Sequence, residues 1–210
     1  FKLDFYWHAL VTRIFDRHGF GSIRATKKLL KKIDYIKPDI IHLHNLHGYY
    51  INIEILFNYL ARKEIPIVWT MHDCWPLTGH CSHFEFVDCN KWRESCYSCP
   101  QRSSYPSSLI KDNSKENFLN KKRLFNSVHN MTIVPVSNWL DNKIKYSYLN
   151  GFKSRVIQNG IDLEVFKPSK SASFINDYNL HNKFIILGVA SVWTERKGFF
   201  EFVKLRELLG

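Results

Sequence analysis

The chain has 210 residues, of which 45% are hydrophobic and 23% charged, a globular composition that excludes a disordered polymer. Its longest apolar run, residues 184–190, is far shorter than the roughly 20 residues that a membrane-spanning helix needs. Thirty Lys and Arg against 19 Asp and Glu give a net charge of +11. This excess predicts an anionic partner, such as a nucleotide, a sugar diphosphate, a nucleic acid or an acidic membrane surface.

The ends of the chain indicate whether it is a whole protein, and its cysteines indicate the redox state of its compartment. The sequence begins with Phe1 rather than Met and stops at Gly210 inside a helical pattern, so we expect a piece of a longer protein. No signal peptide precedes the first predicted element. An odd number of cysteines, five in all, without a secretory signal favours a reduced, cytoplasmic compartment.

Helical and strand patterns alternate along the first 160 residues, except in residues 72–114, which have no period. So long an irregular loop needs something to hold it together. The predicted elements are a helix over 22–37 with Ser22 as N-cap, buried strands over 39–44 and 65–71 with a helix over 51–62 between them, a helix over 114–127, a strand over 132–136, a helix capped by Ser137 and a short strand over 155–158.

The last fifty residues contain a polar stretch followed by one more strand and helix. Residues 184–190 predict a strong buried strand, and residues 198–209 the start of a helix. Alternating strands and helices predict an α/β fold with a doubly wound parallel sheet. Ligands of such sheets bind at the carboxyl ends of the strands.

Two of these strand ends carry histidines. His72 and Asp73 follow the strand over 65–71, and residues 42–48 supply three more histidines after the preceding strand. Imidazoles hydrogen-bond sugar hydroxyls and move protons near neutral pH. We interpret His42, inside its strand, as a core histidine. His72, at the mouth beside Asp73, is the candidate for function.

A charged turn precedes the last predicted helix. Arg196 and Lys197 lie beside the backbone N–H groups at the start of that helix, an arrangement suited to a diphosphate. An exposed turn without a ligand explains the same residues equally well.

Three ordered motifs together resemble family 4 glycosyltransferases, most of all bacterial enzymes of polysaccharide and O-antigen assembly. The motifs are His72-Asp-Cys-Trp75, residues 156–162 with the following Phe166-Lys-Pro168, and residues 189–198. The resemblance implies a GT-B architecture of two Rossmann-like domains, with the acceptor on the first and the nucleotide-sugar on the second. It also implies retention of anomeric configuration and no catalytic cofactor or metal.

The resemblance assigns roles to individual residues. His72 matches the histidine near the transferred sugar, with Asp73 beside it. Lys197, supported by Arg196, matches the lysine on the donor diphosphate, and Asn159-Gly160 matches the turn that closes the first domain at the cleft.

The sequence also departs from the family pattern. Ala190-Ser191 replaces a common Gly-Arg, and the chain ends before the E-x7-E motif. The first strand and the Gly-rich loop of the first domain have no counterpart. We therefore expect the fragment alone to be inactive.

The resemblance also divides the chain into parts. Residues 1–162 correspond to the acceptor-side domain with a cysteine-rich loop over 73–113, residues 163–182 to a linker, and residues 183–210 to the first strand and helix of the nucleotide-sugar domain. The implied reaction moves a hexose from a nucleotide-sugar to a growing, lipid-linked polysaccharide. The enzyme is expected in the cytoplasm, peripherally at the inner face of the plasma membrane.

Four cysteines of the long loop have metal-ligand spacing. Their pattern, C-x7-C-x6-C-x2-C, predicts a structural zinc ion, which would order a loop that lacks its own core. Reduced thiols and a disulfide are the alternatives. Cys74 lies outside the set and is expected to pack beside the cleft. The four predicted ligands are Cys81, Cys89, Cys96 and Cys99, with His80 and His83 in reserve.

Two non-catalytic functions are alternatives to the glycosyltransferase hypothesis. A zinc-knuckle module on nucleic acid would use Trp92 and Tyr97 as stacking rings. The loop over 81–99, however, has only two basic residues against three acidic ones, which disfavours nucleic acid. A fragment that docks at an anionic membrane would use one basic helix face, for which an ordinary solvated face is the alternative. The four lysines of that face are Lys27, Lys28, Lys31 and Lys32.

Overall fold

A computed structural model describes residues 2–168 and 172–209. These residues form two compact units, one within residues 1–159 and one within residues 160–210. The boundary falls at Asn159-Gly160.

The first unit is built on a parallel sheet. Its four strands are hydrogen-bonded in the order β1-β2-β3-β4, so the chain advances in one direction across the sheet. The register pairs Leu43 with Trp69 and Trp69 with Ile133. The strands are β1 (Ile41–Leu43), β2 (Ile67–Met71), β3 (Met131–Pro135) and β4 (Lys153–Ser154).

Helices connect the strands, because parallel neighbours need a crossover connection between them. Helix α2 packs on α3, and α3 packs on α4. This architecture confirms the predicted α/β class with a parallel sheet and is consistent with a Rossmann-like domain. The helices of this unit are α1 (Lys2–Phe15), α2 (Ile23–Ile36), α3 (Ile53–Lys63), α4 (Ser114–Phe125) and α5 (Asn138–Lys145).

Aromatic side chains dominate the core between sheet and helices. Trp69 of β2 is 1% exposed, and its ring centroid lies 4.9 Å from that of Phe125 and 5.7 Å from that of Phe57. Burying three such rings contributes much of the apolar driving force for this unit. The rigid sheet that results fixes the positions of the strand ends.

Local sequence explains where these helices begin. The side chains of Asn52 and Ser137 accept hydrogen bonds from the N–H groups of Ile55 and Leu140, so both act as N-caps. Ser22 occupies the predicted cap position of α2, but its hydroxyl makes no capping bond. That hydroxyl instead donates to the carbonyl of Tyr49.

Three elements differ from the sequence-based prediction in the first 182 residues. Helix α1 was not predicted. The last strand of the sheet is β4, two residues before the predicted strand over 155–158, although the N–H groups of Arg155 and Ile157 still donate to β3. The predicted linker over 163–182 contains a helix, α6 (Ala172–Asp177).

The predicted strand over residues 184–190 is wrong. These residues form no strand, and Phe184 and Val189 are 91% and 85% exposed. A β-strand needs a hydrogen-bonded neighbour, and none is present among the described residues of this unit. Helix α7 (Phe199–Leu209) follows, as predicted.

The loop over residues 72–113 contributes large buried side chains to the main core, contrary to the sequence-based expectation of a loop without one. Three short 3₁₀ turns punctuate it, at Trp75–Leu77, Glu85–Val87 and Lys91–Arg93. Trp75, Phe84 and Trp92 are at most 2% exposed and belong to the main apolar cluster. Apolar burial therefore contributes to ordering this loop.

No helix formed by residues 2–168 and 172–209 combines the length and apolar character needed to cross a membrane.

Candidate functional site

The carboxyl ends of β1 and β2 bring four histidines and an aspartate to one edge of the sheet. His42 lies in β1, while His44 and His47 follow it; His72 and Asp73 follow β2. Because the strands are parallel neighbours, their carboxyl ends meet at the same edge. The structure thereby assembles the two histidine-bearing segments that the sequence predicts to be neighbours.

The His–Asp pair at this edge joins two strands. Nε2 of His47 donates to Oδ2 of Asp73 at 2.8 Å, and both side chains are nearly buried, at 13% and 14% exposure. The N–H of Trp75 donates to the other carboxylate oxygen at 2.9 Å. Asp73 therefore holds an imidazole from the neighbouring strand end, not that of His72.

Tyr105 completes this arrangement from the long loop. Its hydroxyl lies 3.2 Å from Nδ1 of His47. Burial, with the nearby Tyr49 and the charge of Asp73, raises the pKa of Tyr105 to about 12, so the hydroxyl keeps its proton and donates. Burial alone would raise the pKa of Asp73, but hydrogen bonds from His47 and Trp75 outweigh it and lower that pKa. Tyr105, His47 and Asp73 thus form one directional chain of hydrogen bonds.

His72 belongs to a second group, the histidine row of His42, His44 and His72. Nε2 of His72 lies 3.1 Å from Nδ1 of His44, and the two rings stack with centroids 5.4 Å apart. One of these nitrogens donates and the other accepts, and the tautomers of the two rings set the direction. All three rings are exposed. They present hydrogen-bonding nitrogens to solvent.

The sequence-based interpretation of His42 is wrong. His42 is exposed, and its Nε2 lies 2.8 Å from the hydroxyl of Thr70. The burial pattern of β1 alternates, and His42 lies on its open side. A three-residue strand is too short for the sequence to reveal which face is covered.

Sequence reasoning missed two buried histidines behind this edge. Nε2 of His8 accepts from the N–H of Gly19 at 2.9 Å, and its Nδ1 lies 3.0 Å from the hydroxyl of Ser22. Burial lowers the pKa of His8 to about 4. His18 is 2% exposed, and its ring packs against Trp75 and Tyr105. Both histidines precede α2, in a part of the sequence where no helical or strand periodicity indicated which side chains are buried.

The predicted diphosphate residues lie in the second unit. Arg196 and Lys197 occupy a 3₁₀ turn, Glu195–Lys197, directly before α7, and both are exposed. Gly198, with φ of 76°, makes the turn into the helix. The structure confirms their position at a helix start, which is the geometry on which the predicted anion contact depends.

Asn159 and Gly160, the predicted interdomain residues, are exposed and lie at the boundary of the two units.

The four predicted zinc ligands converge. Cys81, Cys89, Cys96 and Cys99 all line one small cavity of about 10 Å³, together with the aromatic rings of Phe84, Trp92 and Tyr97. Cys74 is buried elsewhere. Among the described residues, no group of three or more His, Cys, Asp or Glu side chains is arranged so that it could hold a metal ion as it stands.

Individual contacts tie these thiols to their surroundings. The neighbouring thiol of Cys81, together with burial, raises the pKa of Cys99. Cys96 accepts from the N–H of Gly79 at 3.2 Å, yet burial raises its pKa to about 11. Gly79 packs directly on the carbonyl of Ser114, so a side chain at this position would clash.

His80 also lines the cavity and is 1% exposed. Its Nδ1 pairs with Oδ1 of Asp16 at 2.5 Å. Its Nε2 is buried without a hydrogen-bond partner among the described residues. His83, the other reserve ligand, is exposed.

A buried lysine lies nearby. Lys121 of α4 is 1% exposed, and its ammonium donates to the carbonyls of Trp75 and Thr78 at 2.9 and 3.0 Å. It also lies 3.4 Å from the ring centroid of Trp75. Burial lowers the pKa of Lys121 to about 7, although the thiols of Cys96 and Cys81 are close enough to oppose that shift.

Of the two rings that the nucleic-acid hypothesis uses for stacking on bases, one is not accessible. Trp92 is 1% exposed and stacks on Phe84 with centroids 4.9 Å apart, so its face is unavailable to a base. Tyr97 is exposed, with the ammonium of Lys91 over its ring.

Comparison with known proteins gives one family. The family model described as Glycosyltransferase Family 4 matches residues 3–165, which contain the whole parallel sheet and the histidine site.

A curated protein of Escherichia coli (strain K12), named as a colanic acid biosynthesis glycosyl transferase, WcaC, is 28% identical over 159 residues. The match covers 72% of this chain but 38% of the relative, so the chain spans well under half of that protein. No solved structure matches the chain significantly.

Proposed function

Because the chain belongs to glycosyltransferase family 4, we propose that it carries the acceptor side of a retaining transferase. That enzyme moves a hexose from a nucleotide-sugar to a growing, lipid-linked polysaccharide. Assignment to polysaccharide assembly is supported by the similarity to the colanic acid glycosyl transferase.

One observation carries this proposal: a row of exposed imidazoles and a partly buried His47–Asp73 pair lie at the carboxyl edge of a parallel sheet. Ligands of such sheets bind at this edge. Sugars present many hydroxyls, and neutral imidazoles both donate to and accept from hydroxyl groups. The site therefore fits a polyol substrate better than an apolar one.

Separate roles follow from the contacts. His72 is exposed and is assigned to contact the transferred sugar. Asp73 is occupied by His47 and by the N–H of Trp75, so it acts as a positioning residue. It keeps the His47 ring in a single orientation, with Nδ1 toward Tyr105.

The donor diphosphate is assigned to Arg196 and Lys197 of the second unit. Two exposed cations at a helix start suit a leaving group whose negative charge grows as the glycosidic bond breaks. Asn159-Gly160 is assigned to the interdomain turn of the complete enzyme. No cofactor takes part in the proposed reaction.

A cytoplasmic site of action, in peripheral contact with the inner face of the plasma membrane, accommodates a lipid-linked acceptor. Four exposed lysines on α2 support this placement, since each cation near an anionic surface contributes about 1 kcal/mol.

The direct test is to incubate the full-length protein with a panel of nucleotide-sugars and extracted lipid-linked glycans. We expect one donor to release its nucleoside diphosphate only when acceptor is present, and the product to keep the donor's anomeric configuration by NMR. Inverted product would refute retention, and absence of turnover with every donor would refute the assignment.

A further inference from the structure

Two of the residues that line the cavity in the cysteine loop, His80 and Trp92, have a buried ring nitrogen without a hydrogen-bond partner among the described residues. The indole nitrogen of Trp92 can only donate, whereas Nε2 of a neutral His80 ring can act as an acceptor or a ligand. Leaving a buried polar nitrogen unpaired costs about 1–3 kcal/mol. The cavity, at about 10 Å³, has room for only about one small group.

The other nitrogen of His80 determines what Nε2 can do. Nδ1 is held by the carboxylate of Asp16, so the proton of the neutral ring lies on Nδ1. In that neutral form, Nε2 carries the lone pair with which a histidine binds a metal. A carboxylate that orients a histidine in this way is the usual outer contact of a histidine that binds zinc.

Four of the residues that line the cavity with His80 are cysteines. Thiolates and imidazole nitrogens together are the donors that zinc prefers in four-coordinate structural sites. Two independent observations, the spacing of the cysteines and the unpaired His80 nitrogen, therefore point to the same ligand.

We propose that this cavity binds a structural zinc ion through His80 Nε2 and the thiolates of Cys81, Cys96 and Cys99. These three cysteines line the cavity together with His80. Because a structural zinc ion takes four ligands, Cys89 is the thiol of the lining that the proposed set leaves out. Four ligands leave no position for water, so the role is structural rather than catalytic.

When the zinc ion binds, it replaces the protons of the three cysteine thiols. Three S–H bonds break and release three protons to solvent, while three Zn–S bonds and one Zn–N bond form; no electrons are transferred. Because no set of three ligands is assembled beforehand, the ion draws the donors inward to about 2.3 Å for sulfur and about 2.0 Å for nitrogen. The free energy of binding then adds to the stability of the loop.

Nearby groups suit the charge of this site. Three thiolates around Zn²⁺ leave one negative charge, and Asp16 adds another. The ammonium of Lys121, fully buried and within electrostatic range of Cys81 and Cys96, offsets part of it. The N–H of Gly79 stabilises the Cys96 thiolate directly.

The first test measures metal content. The full chain is expressed in zinc-supplemented medium, purified under reducing conditions and analysed by inductively coupled plasma mass spectrometry. We expect about one zinc per chain in the wild type, in Cys89→Ser and in the buried control Cys74→Ser. Cys99→Ser and His80→Ala should lose it, with at least about a tenfold loss of affinity in competition with a chelator.

A second measurement needs no variant. Zinc K-edge absorption of the wild-type protein should show three sulfurs and one nitrogen. Four sulfurs, or zinc lost from Cys89→Ser but kept by His80→Ala, would overturn the role of His80. Metal-free protein after dialysis against buffered zinc, or a Cys81–Cys99 disulfide in its place by mass spectrometry, would overturn the site itself.

Discussion

His8 shows how one buried ring makes the N-terminal unit sensitive to acid. Its Nε2 accepts from Gly19, so a second proton would break that bond and place a charge in the core. Its pKa is about 4 in the folded chain, below the usual 6.5. The stabilisation is therefore fully present above pH 6.5 and is lost as the pH falls toward 4.

We expect His8 to contribute a loss of about 2 kcal/mol in the free energy of unfolding between pH 7 and pH 5. Urea denaturation of the wild type and His8→Gln across this range measures it. The pKa of His18 is lowered by burial and also by His8, so the difference between the two proteins reports His8 together with its coupling to His18. Parallel pH profiles would contradict the assignment.

Lys121 fastens α4 to the start of the long loop. Lys121→Met keeps most of the side-chain volume but leaves the carbonyls of Trp75 and Thr78 without their donor. We expect a loss of about 2 kcal/mol in unfolding free energy, because two buried acceptors lose a charged partner. The matched control is the exposed neighbour, Lys122→Met, which should change stability by less than about 0.5 kcal/mol. Equal effects of the two variants would show that the buried bonds contribute nothing.

For individual residues, the sequence predicts where in the fold a functional side chain lies better than it predicts which side chain it contacts. Residues next to strand ends, such as His72 and Asp73, are identifiable because buried strands are bracketed by breakers like Pro38 and Gly48. The pairing of Asp73 with His47 depends on the register between β1 and β2, which one chain's pattern does not encode. The sequence predicts His80 only as a reserve zinc ligand, because its unpaired nitrogen results from how the side chains pack and cannot be recognised from the sequence.

At the scale of elements, residues 184–190 illustrate the limit of apolar patterning. The run has the composition of a buried strand, but a strand is stable only beside another. β1, β2 and β3 were predictable because each lies in a repeated strand–helix unit. Helix α1 was missed because several of its large apolar side chains are exposed, among them Leu3, Tyr6 and Trp7.

This difference predicts contrasting hydrogen exchange. Amides of β1 and β2 lie in a hydrogen-bonded ladder and should exchange slowly, whereas those of residues 184–190 should exchange within the earliest time points. Exchange followed by mass spectrometry at neutral pH tests this. Equal protection of the two regions would show that residues 184–190 form a stable strand in solution.

Helix α2 carries the proposed membrane contact. Replacing Lys27, Lys28, Lys31 and Lys32 by Gln should reduce cosedimentation with vesicles containing phosphatidylglycerol by at least tenfold at low salt, because each lysine contributes about 1 kcal/mol. Replacing four exposed basic residues elsewhere, Lys115, Lys122, Arg123 and Lys153, is the control for net charge. Equal losses in both proteins would show that charge alone, not this face, binds the membrane.

At the scale of the whole molecule, the account divides labour between the two units. The histidine row in the first unit is assigned to the transferred sugar, and Arg196 and Lys197 in the second to the donor diphosphate. Contacts to charge that develops during bond cleavage lower the barrier more than they tighten binding of the substrate. The two kinds of residue should therefore fail in different ways when removed.

The most direct test of this central claim is steady-state turnover together with product inhibition by the nucleoside diphosphate, measured on the full-length enzyme. Lys197→Ala should lower kcat/KM by roughly two to three orders of magnitude and weaken inhibition. His72→Ala should lower turnover on the order of tenfold or more, from loss of a hydrogen bond to the sugar, with inhibition unchanged. His129→Ala, an exposed histidine before β3, should match the wild type. Normal turnover of His72→Ala, or equal weakening of inhibition in His72→Ala and Lys197→Ala, would contradict the account.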